Sequence, residues 1–107
     1  MATHTVKRND TSQAWTDSLT LNGSAINLVG CTVKLIISHE HGTVVSRSAT
    51  IVSATSGTVS YQPVAADVAT AETLKLEWEI TYPDLTVLTV PNDSYISLKI
   101  IPDLNPP

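Results

Sequence analysis

Between Thr73 and Tyr82 every second residue is apolar: Leu74, Leu76, Trp78, Ile80 and Tyr82 alternate with Thr73, Lys75, Glu77, Glu79 and Thr81. A helix would spread these side chains around its circumference. A strand puts them on one face, because its side-chain period is two. The same alternation recurs along the chain. Val33, Leu35 and Ile37 alternate with Lys34 and Ser38 in one segment, and Ile96, Leu98 and Ile100 form a row in another. Trp15, Asp17, Leu19 and Leu21 make a third row with one polar interruption. Shorter strands are expected at 4–7, 25–28, 58–62 and 86–90, and residues 43–54 read as one strand bulged in its middle.

Turn chemistry separates these rows. Asn22-Gly23 is a hairpin signal, since both residues tolerate positive φ at the centre of a two-residue loop. His39-Glu40-His41-Gly42, Thr55-Ser56-Gly57, Pro83-Asp84-Leu85-Thr86 and Pro91-Asn92-Asp93-Ser94 mark further turns. Residues 63–72 are Ala-rich and open on a proline, which suits a single helical turn and no more. Seven to nine short strands at such spacing, without a sustained helix, predict an all-β antiparallel sandwich or barrel. The apolar face of 73–82 is then packed on an opposing sheet about 10 Å away. Val33, Leu35, Ile37, Leu74, Leu76, Trp78, Ile80, Ile96, Leu98 and Ile100 are expected to be buried together and to supply the inner faces of both sheets.

Composition sharpens this picture. The 107 residues suit one domain, with its core over about 4–101 and a proline-rich tail at 102–107. There is no Phe, so the core is aliphatic with Trp and Tyr as its large fillers. The net charge is −4, and only Lys7 and Arg8 adjoin among the six basic residues. No basic stripe is present, so nucleic acid is not an expected partner. The longest apolar run is too short to span a bilayer, and the N-terminal stretch lacks a signal-peptide core, so no membrane partner is expected either. Cys31 is the only cysteine; it reads as a small buried hydrophobe in a protein made in a reducing compartment.

Candidate chemistry is sparse. No nucleophile elbow, zinc-protease helix motif, phosphate loop or paired-cysteine motif occurs. His39, Glu40 and His41 form the one cluster of ligand-type side chains, but no third ligand is evident and a hairpin turn is expected there, so they read as solvated turn residues. Glu77 and Glu79 share a strand face and read as a soluble surface or as protection of a sheet edge. No catalytic, cofactor-binding or metal-binding residues are therefore expected, and no enzyme activity; a small hydrolase would need zinc held by His39, His41 and a carboxylate. The segments most easily lent to a neighbour are the ends, and the candidate interface is His4, Val6, Lys7, Arg8, Pro102, Asp103 and Leu104.

The order of these features resembles one family, the Ig-like N-terminal domain of phage baseplate upper proteins, over about residues 5–101. The family's opening polar strand and GDT-type element correspond to Lys7-Arg8-Asn9-Asp10-Thr11. Its G-x-x-x-x-L-x-G-x-x-V stretch is seen as Gly23 through Leu28 and Gly30 to Val33. Its G-x-V-x-Y hairpin with a downstream Asp is Gly57, Val59, Tyr61 and Asp67. The acidic-aromatic strand, turn and finish match Glu77-Trp78-Glu79, Tyr82-Pro83-Asp84, and Pro91, Tyr95, Leu98 and Ile100. Two positions depart from the pattern: Ala71-Glu72 stand where the family has a Gly, and Leu85 stands at its turn Gly.

The resemblance implies an immunoglobulin-like sandwich and a non-enzymatic bacteriophage virion structural protein, a docking or decoration module of the tail-baseplate or capsid. Its expected partners are other virion proteins, with further copies of itself as a second kind of contact, and its expected location is the virion, assembled in the host cytoplasm. The alternative function is a carbohydrate- or host-surface-binding sandwich, which needs exposed aromatic residues at positions such as Trp15 and Tyr61.

Overall fold

The alternating rows become strands of two packed sheets. The structure, a computed structural model, describes residues 3–91 and 95–104. Its strands are β1 (Thr3–Lys7), β2 (Trp15–Ser18), β3 (Thr20–Leu21), β4 (Ser24–Ala25), β5 (Thr32–Ser38), β6 (Val44–Ser48), β7 (Thr50–Ser53), β8 (Thr58–Tyr61), β9 (Thr73–Thr81), β10 (Val87–Val90) and β11 (Ile96–Ile101). A single 3-10 turn spans Ala65–Asp67, where the Ala-rich segment predicted one helical turn.

The larger sheet has the order β1-β11-β9-β5-β6, and β10 pairs with the far half of β9. The nine residues of β9 lie at its centre. On one side β9 pairs antiparallel with β5 along its length, Leu35 opposite Trp78. On the other side β11 takes its first half and β10 its second. The smaller sheet is β2-β8-β7, and β3 and β4 form a separate hairpin. Asn22 and Gly23 both have positive φ, as the Asn-Gly signal requires for a loop whose twist matches the flanking strands.

The architecture is an all-β sandwich with one parallel pair among the described strands. β1 runs parallel to β11, Thr3 beside Ser97 through Lys7 beside Ile101, so the first and last strands lie side by side. Three expectations are corrected. Residues 43–54 are two strands in different sheets: Ala49 carries the chain across, its N–H bonded to the Val33 carbonyl at 3.0 Å. The row 14–21 is likewise broken at Leu19. The strand count is higher than seven to nine for these reasons, eleven among the described residues.

The ten predicted core residues are all buried, but they belong to one sheet, not two. Val33, Leu35 and Ile37 come from β5, the next four from β9 and the last three from β11. The opposing layer is Leu19, Ile26, Leu28, Val59, Tyr61 and Val68, much of it from loops and short strands whose patterns were too brief to assign to a face. Cys31 is half-buried at the margin of this core, less enclosed than expected. Glu77 and Glu79 lie on the outer face of the central strand, so they guard no edge; Glu79 sits directly opposite Lys34. Among the described residues no helix is long and apolar enough to cross a membrane.

Candidate functional site

The parallel β1–β11 pairing brings the two predicted interface segments to one corner. The Arg8 N–H donates to the Ile101 carbonyl at 2.8 Å, which continues the pairing one residue beyond the strand. The Arg8 guanidinium then grips Asp103 Oδ1, at 3.1 Å from Nε and 2.6 Å from Nη2. The hydrogen bond from Arg8, with the guanidinium charge beside it, holds the Asp103 carboxyl below the usual carboxylate range. These two charges therefore satisfy each other. Val6 is half-buried and packs on the core. The side chains left outward at the corner are His4 and Lys7 on β1, with Pro102 and Leu104, the last fully exposed. Of the candidate stretches at the ends, residues 1–2 and 105–107 lie outside the described residues, as do 92–94 of the expected 91–94 turn.

The second constellation lies at the tip of the β5–β6 hairpin, and here the solvated-turn expectation is half wrong. His41 and Glu40 are exposed, but the His39 side chain is only 8 % exposed. Its Nδ1 lies 2.9 Å from Oε2 of Glu72, whose side chain is 5 % exposed. A carboxylate only accepts, so Nδ1 carries the proton in this contact. Glu72 precedes β9, and its other oxygen accepts the Glu40 N–H at 2.9 Å. Glu40 reciprocates: its Oε1 accepts the Thr73 N–H at 2.7 Å. Two carboxylates and two backbone N–H groups thus clamp the hairpin tip to the start of the central strand. The His41 ring stacks on His39 at 5.1 Å between centroids, and its Nδ1 is 3.1 Å from the Thr43 hydroxyl. The third ligand-type group missing from the sequence pattern is Glu72, which lies 33 residues from His39 along the chain. No local spacing could reveal it; its one signal is that a Glu directly precedes the longest strand.

A third network is structural. Asp67 is 1 % exposed and accepts hydrogen bonds from the Tyr61 hydroxyl, from the Val64 N–H at 3.0 Å and from Nε and Nη2 of Arg47. Every oxygen has a partner, so the buried carboxylate is compensated. Burial, reinforced by the Asp67 carboxylate, pushes the Tyr61 hydroxyl well above the ordinary phenol range.

Among the described residues no Trp or Tyr side chain is fully exposed. Tyr61 and Trp78 are buried, and Trp15, Tyr82 and Tyr95 are partly covered. Trp15 packs against Tyr61 with ring centroids 5.7 Å apart. A cleft of about 320 Å³ opens between β1 and the 13–17 segment, with Trp15 and Trp78 among its walls.

No family model matches the chain, and no curated protein matches it. Among solved structures, CopC from Methylosinus trichosporium OB3b is similar with a TM-score of 0.61, covering 100 % of this chain and 91 % of that one at 9 % identity. Identity that low carries the likeness of fold alone, the all-β sandwich.

Proposed function

We propose that the chain is a non-enzymatic structural module of a bacteriophage virion, docking onto neighbouring proteins of the tail-baseplate or capsid. The observation that supports it is the corner where the first and last strands meet. β1 ends the larger sheet, with His4, Thr5 and Lys7 exposed, and Pro102 and Leu104 stand exposed next to its paired strand. A strand at a sheet edge offers backbone N–H and C=O groups through which a partner adds to the sheet. Lys7 contributes a charge that Arg8, engaged with Asp103, does not, and Leu104 contributes an apolar contact. The ordered resemblance to baseplate upper-protein domains supplies the choice of a virion as the setting. The inward packing of Tyr61 and the partial cover of Trp15 favour docking over carbohydrate recognition, which needs exposed rings.

The test is made on virions of the phage that encodes the chain. Purified particles are expected to contain it, detected by mass spectrometry. The double variant Lys7→Glu, Leu104→Asp changes two exposed side chains and is expected to lower incorporation about tenfold, the effect of losing roughly 1.4 kcal/mol of contact energy. Absence from virions overturns the structural reading. Undiminished incorporation of the double variant overturns the role of this corner.

A further inference from the structure

We propose that His39, His41 and Glu72 bind one divalent transition-metal ion of the zinc type at the tip of the β5–β6 hairpin. One ligand atom from each residue lies within 4.8 Å of the others. Two imidazoles and a carboxylate are a donor set suited to such ions, and three protein ligands leave a fourth position for water or for a partner's side chain. Metal–ligand bonds of about 2.0–2.2 Å in a tetrahedral site put the ligand atoms roughly 3.3 Å apart. His39 Nδ1 and Glu72 Oε2, at 2.9 Å, need only a small separation to admit an ion in place of the proton between them. The larger adjustment falls to His41, which is exposed and is held by the Thr43 hydroxyl and by stacking on His39.

The site is preorganised on the side that matters. Glu72 is fixed by the Glu40 N–H on its other oxygen, and Glu40 is fixed in turn by the Thr73 N–H. The supporting groups therefore hold the two least mobile ligands in place before any ion arrives, the arrangement on which metal affinity depends. The recess beside the cluster is lined by Ser38, His39, Glu40, Thr73 and Lys75. Lys75, the one cation among them, has its ammonium 4.9 Å from the centre of the Tyr95 ring. The ion would tie the hairpin tip to the first residue before β9, two elements otherwise joined there by hydrogen bonds. Coordination through Nδ1 requires the imidazole tautomer that carries its one proton on Nε2.

The experiment is calorimetric titration of the full chain with zinc chloride in a buffer without phosphate. Saturable binding of one ion per chain is expected, together with a melting temperature raised by about 5 °C or more at saturating zinc. His41→Ala removes an exposed ligand and Glu72→Gln replaces a carboxylate with a neutral amide; each is expected to weaken binding about tenfold or more. Circular dichroism checks that both variants fold, and if Glu72→Gln does not, His41→Ala decides alone. Cobalt(II) is expected to give visible absorption bands with the wild type that disappear with His41→Ala. Failure of the wild type to bind one ion overturns the proposal, as does unchanged affinity in a folded variant of either residue.

Discussion

The indole Nε1–H of Trp78 donates to Oδ2 of Asp17 at 3.1 Å, and this bond joins the two sheets of the sandwich. Trp78 lies on β9, buried in the larger sheet; Asp17 lies on β2 of the smaller one, facing inward between Trp15 and Leu19. A buried indole N–H without an acceptor costs roughly 1–3 kcal/mol, so the polar interruption in the β2 row is what lets a Trp stand in the core. Asp17→Ala is expected to destabilise by about 1–3 kcal/mol. Trp78→Ala, which removes the ring and leaves a cavity, is expected to cost about 3–5 kcal/mol, a large share of a small domain's stability. Chemical denaturation measures both; a Trp78→Ala variant with an unshifted midpoint would contradict this account of the core.

Asp17 also shows where the sequence is legible and where it is not. Its place on an inward row could be read from the alternation Trp15, Asp17, Leu19. Its partner could not, because Trp78 is 61 residues away and only the packing of two sheets brings them together. The same division holds elsewhere. The β9 alternation, the Asn22-Gly23 loop and the single turn at Ala65–Asp67 are local signals, and local signals carry period and turn type. The crossing at Ala49 shows locally only as an irregularity that reads as a bulge, since both flanking segments keep strand-like alternation while they change sheets. For that reason the buried rows could be identified but not divided between layers. The His39–Glu72 contact is likewise a product of β5 and β9 pairing: Ser38 lies opposite Lys75, which sets the residue after β5 beside the residues before β9.

The Tyr61 hydroxyl, buried beside Asp67, gives the protein an alkaline sensitivity of known sign. Its pKa is raised in the folded state, first by burial and then by the hydrogen bond to the carboxylate. Above the ordinary phenol value of 10.0 the unfolded chain loses this proton while the folded chain keeps it. The folded state then binds more protons, so stability falls as pH rises. The contribution is whole below about pH 10 and declines progressively as pH climbs toward the folded value. Tyr61→Phe is expected to be less stable at neutral pH by about 0.5–1.5 kcal/mol, for the lost hydrogen bond, and to show a shallower loss between pH 10 and 11. Denaturation midpoints of the two proteins across that range check it; parallel declines would exclude Tyr61 as the titrating group.

Two turn positions make the same demand, for a residue without a Cβ, and only one of them meets it. Leu85 has φ +72° in the β9–β10 turn and is 80 % exposed, so its side chain gains little and strains the backbone. Leu85→Gly is expected to stabilise by up to about 1 kcal/mol, the relieved strain less the added chain entropy. Gly57 has φ +70°, and a Cβ there would lie 2.7 Å from the Leu19 carbonyl oxygen and 2.8 Å from that of Ile26. Both are backbone atoms and cannot rotate aside. Gly57→Ala is expected to destabilise by about 1–3 kcal/mol or more. Thermal melts of the two variants should move in opposite directions, and a melt that moved the same way for both would refute the assignment of strain.

The Arg8–Asp103 pair fixes the end of the chain to the edge strand, and its contribution should be lost in acid. The bond from the Arg8 guanidinium depresses the Asp103 pKa in the folded state. Stability from this pair is therefore present above the ordinary aspartate value of 3.8 and disappears as pH falls through the lower folded value. Asp103→Asn keeps the shape and removes the charge. It is expected to be less stable than the wild type at neutral pH, with the difference closing as the medium is acidified below about pH 4, where the unfolded wild type protonates too. The effect is local as well as global, since the Arg8 N–H is bonded to Ile101 beside the pair. Hydrogen exchange at Arg8 should accelerate in Asp103→Asn while the β9 amides hold their protection. A difference in stability that stayed constant down to pH 2, or an Arg8 amide exchanging at the wild-type rate, would show that the clasp does not hold the end strands together.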